Sequence, residues 1–148
     1  MALRTAGSVL VVFLWSAAVV LGQDGWSVTY TTQSICALKG STVELSCSYT
    51  YPRGPKVTST FWLTKMETGV EPEDIGQDPE NADRLEYDGD KKNGHTLKIT
   101  DLRESDSATY WFRFITDQTR GRYIGNPGVT LSVTGTVTFN IVKLLNSI

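Results

Sequence analysis

The chain has 148 residues, 40% of them hydrophobic and 20% charged, with a formal net charge of −2. That length holds one domain, and that balance excludes both a disordered chain and a multi-span membrane protein. The acidic balance argues against nucleic-acid partners, while one histidine (His95) and two cysteines (Cys36 and Cys47) are too few for a structural zinc site.

Met1–Gly22 carries one early base, Arg4, then an apolar run from Val9 to Leu21 that stops at Gly22. The run falls short of the roughly 20 residues that span a bilayer. It reads as a secretory signal over residues 1–22, cleaved before Gln23. Removing Arg4 takes the net charge to −3, and the mature chain is expected in an oxidising compartment.

From there the chain reads as all-β, with turns about every ten residues and no sustained helical period. Thr42–Cys47 alternates strictly, putting Val43, Leu45 and Cys47 on one face. Tyr51-Pro52-Arg53-Gly54-Pro55 is a turn, because proline fixes φ. Between Glu67 and Asp90 sit ten acids and one base, Arg84, which reads as solvated edge loops and short strands. Asp88-Gly89-Asp90 offers oxygens to a calcium ion, but a solvated acidic surface is the simpler account. Lys91-Lys92-Asn93-Gly94 is a second turn. His95–Ile99 alternates next, with Leu97 and Ile99 inward. Tyr110, Phe112 and Phe114 share a face, as do Val129, Leu131 and Val133. Gly135–Ile148 falls outside the pattern as a short apolar tail interrupted by Lys143. It is too short to span, so the chain is expected to be a truncated product or fragment of a longer cell-surface receptor, secreted if complete as given and membrane-attached only if a parent chain continues beyond it. No serine-nucleophile motif, phosphate loop or histidine dyad is present, so neither catalysis nor a cofactor is expected.

Cys47 lies on one strand, Trp62 follows 15 residues later on the next, and Asp106-Ser107-Ala108-Thr109-Tyr110 opens a third. This pattern resembles a variable-type immunoglobulin domain from about Trp26 to Val133. The resemblance implies a V-type two-sheet Greek-key sandwich over residues 23–134. In it Cys47 sits on strand B, Trp62 on strand C and the Tyr110 corner at the start of strand F, with an Arg84–Asp106 salt bridge closing the base.

The second cysteine of that family belongs two residues after Tyr110, where this chain has Phe112. Tyr110-Trp111-Phe112-Arg113, together with Cys47-Ser48-Tyr49 and Thr96-Leu97-Lys98-Ile99, resembles the sialic-acid-binding immunoglobulin-like lectins, the siglecs, and most of all their B-lymphocyte members. There an aromatic fills the cysteine slot and the strand B cysteine bonds to strand E. This chain departs again at that position, which is His95. Three arrangements stay open: a Cys36–Cys47 bridge, a bond from Cys36 to another chain, or two free thiols.

Strand alternation sends Trp111, Arg113 and Ile115 outward, and on the neighbouring strand Phe61 and Leu63. A sheet face that shows apolar side chains to solvent around an arginine is a binding face. A planar guanidinium holds a carboxylate with two parallel hydrogen bonds. The siglec resemblance implies a sialylated glycan as ligand, gripped by Arg113. Trp26 would flank it from strand A, Tyr123 or Arg122 from strand G, and Trp111 lies beside it. Arg120 and Arg122 make the F–G hairpin locally basic. The competing reading is an immune or adhesion receptor fragment that packs this face on another immunoglobulin domain, without lectin activity.

Overall fold

The computed structural model describes residues 25–89, 94–135 and 146. The proposed signal 1–22, the turn residues 91–93, Asp90 of the calcium option and nearly all of the tail 135–148 lie outside them.

Among the described residues nine strands form two sheets. They are β1 (Ser27–Tyr30), β2 (Ser34–Leu38), β3 (Val43–Thr50), β4 (Val57–Leu63), β5 (Leu85–Gly89), β6 (Gly94–Ile99), β7 (Ala108–Thr116), β8 (Arg122–Ile124) and β9 (Val129–Thr134). One sheet runs β1-β3-β6-β5; the other runs β2-β9-β7-β4, with β8 paired to β7. Every pair is antiparallel except β2 with β9. In immunoglobulin terms these are strands A, B, E, D facing A′, G, F, C. No strand lies between Thr64 and Arg84; that β4–β5 connection runs as turns, with one 3-10 turn at Ile75–Gln77. The C′ and C″ strands that variable-type domains usually add are therefore replaced by a long connection.

The inward set is the alternating one. Leu45 and Cys47 of β3 are buried with Leu97 and Ile99 of β6, and opposite them lie Trp62, Phe112, Phe114, Val129 and Leu131. Phe112 fills the slot of the missing cysteine as a packing residue. Its ring meets Trp62 edge-on at 5.5 Å and Tyr49 at 5.3 Å. Aromatic pairs of this kind add about 0.5–1.5 kcal/mol beyond their buried area. Cys47 stands opposite His95 in the β3–β6 ladder. Both cysteines are free thiols, Cys36 exposed on β2 of one sheet and Cys47 buried on β3 of the other. The Cys36–Cys47 bridge is not made.

The base is closed by charge. Arg84 grips Asp106 with two bonds, Nη1 to Oδ2 at 2.8 Å and Nη2 to Oδ1 at 3.0 Å, and both side chains are largely buried. Tyr110 donates its hydroxyl to the Asp106 carbonyl at 2.7 Å, which is the tyrosine corner. Between β8 and β9 the strand breaks at Gly125–Gly128. Gly128 has φ of +85°, and a Cβ there would lie 2.9 Å from the Trp111 indole. Only glycine suits both the backbone and the space.

Candidate functional site

The register of β7 decides what can gather around Arg113. Phe61 of β4 and Ile124 of β8 stand opposite Arg113, and Arg122 stands opposite Ile115. All of them share the outer face of the β2-β9-β7-β4 sheet. Leu63 stands opposite Trp111 on the same face.

That face is not open to solvent, contrary to the alternation reading. Phe61 and Leu63 are buried, Trp111 is half-buried, and Arg113 is only 4% exposed. Alternation fixes the face a side chain takes but not what lies over that face. Here the β4–β5 connection brings Glu71 onto it. Arg113 Nη2 donates to Glu71 Oε1 at 2.9 Å, and the guanidinium lies 5.6 Å over the Phe61 ring. Arg122 Nη1 reaches the same carboxylate at 3.3 and 3.4 Å. Arg113 Nε and Nη1 are buried with no hydrogen-bond partner. A guanidinium has five N–H donors, and this one is far from satisfied.

The expected aromatic partners lie elsewhere. Tyr123 stands opposite Phe114, so it takes the inner face of the sheet. Trp26 stacks on Phe114 at 5.6 Å and lies 6.5 Å from Tyr123. Both rings cap the core at the end of the sandwich, on the side of β7 away from Arg113. The siglec placement does not carry over, because one residue along a strand reverses the face. Of the five expected ligand residues, the structure brings Arg113, Arg122 and Trp111 to one face and sends Trp26 and Tyr123 to the other.

Two residues escaped the sequence reading. Glu71 sat unnoticed among ten acids in a stretch read as solvated. A buried arginine predicts an acid but not which one. Tyr30 is the second. Its hydroxyl donates to the Gly125 carbonyl at 2.7 Å and accepts from the Phe112 N–H at 2.9 Å, tying β1 to β7 and to the bend after β8. Burial pushes its phenol well above the usual range. The β4–β5 connection is anchored the same way. Tyr87 donates to Asp74 Oδ1 at 2.5 Å and accepts from the N–H groups of Gly76 and Trp62 at 3.1 and 3.3 Å. Beside it opens a groove of about 310 Å³ lined by Thr64, Glu67, Val70, Glu71, Glu73 and Ile75 among others. Among the described residues no cluster of three or more histidines, cysteines or acids is placed to hold a metal.

Two facing sheets with this strand order, a tyrosine corner and a salt-bridged base define an immunoglobulin sandwich. The immunoglobulin V-set domain model matches residues 30–134, and the chain belongs to that family. A solved structure of murine CRIg is similar at 19% identity and a TM-score of 0.55, covering 72% of this chain and 98% of that one. No curated protein matches. V-set domains are typically extracellular recognition modules without catalysis, and among the described residues no helix is long and apolar enough to cross a membrane.

Proposed function

We propose that this V-set domain recognises a ligand that carries a carboxylate, a sialylated glycan being the class that the siglec resemblance implies, through Arg113 on the outer face of β7. One observation carries the reading: a buried guanidinium binds a carboxylate and keeps two further nitrogens, Nε and Nη1, without a partner. Arginine is the side chain suited to planar, two-bond carboxylate recognition in a low-dielectric setting. Arg122 adds positive charge on the same face. Trp26 and Tyr123 are not contacts in this reading, so any sugar-facing aromatic is Trp111.

The test is a glycan array probed with the mature domain and with Arg113→Ala. Wild type is expected to retain sialylated glycans and lose them after sialidase. Arg113→Ala is expected to weaken binding by about ten- to a hundredfold, the range for a hydrogen bond to a charged group. Equal signals from the two proteins would sink the reading.

A second reading, docking onto another immunoglobulin-type protein, has its own support. Val70, 56% exposed, lines the groove, and Met66 on the same connection is 45% exposed, two of the few large apolar side chains left uncovered among the described residues. Partner binding that survives sialidase and Arg113→Ala, and fails with Met66→Asp or Val70→Asp, would favour it.

A further inference from the structure

Glu71 is the exposed half of an ion pair whose other half is buried. Its side chain is 65% accessible, that of Arg113 only 5%. The segment that carries it is held by little else. From Thr64 to Glu73, among the described residues, the one backbone hydrogen bond is the Val70 N–H to the Glu67 carbonyl at 3.2 Å, a turn within the segment. The remaining hydrogen bonds of that segment are those of the Glu71 carboxylate to Arg113 and Arg122. Firm anchorage resumes only at Asp74, which Tyr87 and Gly76 hold. Met66 and Val70 are 45% and 56% accessible, outside the buried core.

The pairing is also incomplete on the arginine side. Only Nη2 of Arg113 bonds to Glu71, through one carboxylate oxygen, while Nε and Nη1 stay unpartnered. A carboxylate approaching in the plane of the guanidinium would make two parallel bonds where Glu71 makes one.

We propose that Glu71 is a built-in occupant of the Arg113 seat and the latch of the 64–73 segment, so that an external carboxylate binds only by displacing it. The identity of that ligand as an acidic sugar rests on the reading above; the latch itself does not. An exposed partner is exchanged cheaply because water takes over its solvation, whereas the buried guanidinium stays in place. The latch therefore sets the affinity of the face without contributing to the ligand's contacts.

Hydrogen exchange and ligand titration separate the parts. Glu71→Ala is expected to raise amide exchange over residues 64–73 by about three- to tenfold, between the effects of exposed and of buried charged bonds. Glu71→Gln should lie between it and wild type. Arg113→Ala should produce the same opening, and the double variant no more than either. Should Arg113→Ala fail to fold, Glu71→Ala, altering an exposed side chain, carries the test alone. Sialyllactose should then bind Glu71→Ala more tightly than wild type by the same factor as the opening. Unchanged exchange in Glu71→Ala overturns the latch. Raised exchange with no sialyllactose binding by either protein leaves the latch standing and removes the carboxylate-ligand reading.

Discussion

His95 faces Cys47 across the β3–β6 ladder, with its ring 5.0 Å from Phe112 and 5.5 Å from Tyr87. Its Nε2 is buried without a partner. Burial lowers its pKa from 6.5, and the charges of Asp88 and Asp74 only partly oppose that. The unfolded chain thus binds a proton more readily than the fold does, so stability is full above about pH 6.5 and falls as the pH drops below it. The denaturation midpoint should decline as the pH falls below about 6.5, and His95→Phe should lose that decline. Asp106 acts in a lower window. Burial pushes its pKa up, but the bonds from Arg84 and the Arg103 N–H outweigh that and bring it below 3.8. Its contribution is present above about pH 4 and is lost as the pH falls through the folded value. Arg84→Ala leaves that acid buried and unpaired, at a cost of about 3 kcal/mol or more in chemical denaturation. Arg84→Lys should recover only part, because the two-bond geometry is gone. Both Arg84 and Asp106 stood out in the sequence because a chain motif fixes their places. His95 stood out only as a substitution, and its burial came from the rings around it.

At the level of strands, alternation was the most informative signal. It put Leu45, Leu97, Phe112, Phe114 and Leu131 inward, and all are buried. It also put Phe61, Leu63 and Arg113 on the opposite face, correctly, yet gave no hint that this face is covered. The covering element has no period to detect: residues 64–84 form turns, and their acids look alike until one meets a buried guanidinium. Long-range bonds from single hydroxyls were equally silent. Tyr30 pairs through its backbone with Cys47 on β3, yet its side chain serves β7 and the bend after β8. Tyr30→Phe keeps the ring and strands one N–H and one carbonyl in the interior. It should cost about 1–3 kcal/mol, measured as a shift of the urea midpoint without a change of slope. Gly128→Ala should cost a similar amount, since a Cβ there meets the Trp111 ring and the backbone sits at positive φ.

Across the whole molecule no covalent bond joins the sheets; packing does, with the Tyr30 and Tyr87 hydroxyls and the Arg84–Asp106 pair. The family's inter-sheet disulfide has become an aromatic contact, and the alternative bond within one sheet has become Cys47 opposite His95. Burial pushes the Cys47 thiol up to about 12, so it carries almost no thiolate at neutral pH. A thiol reagent should therefore label one cysteine, Cys36, in the native protein and both after denaturation. Rapid labelling of both before unfolding would contradict the burial of Cys47. The fold class was legible because Cys47, Trp62 and the Tyr110 corner hold fixed offsets along the chain. The outer face around Arg113 was only half legible, since its key contact joins residues 42 positions apart. A sandwich built without a cross-link owes nothing to the redox state of its surroundings. Its melting temperature should not change when dithiothreitol is added, and the domain should fold as readily in a bacterial cytosol as in a secretory pathway, needing no oxidase and no isomerase to reach its native form.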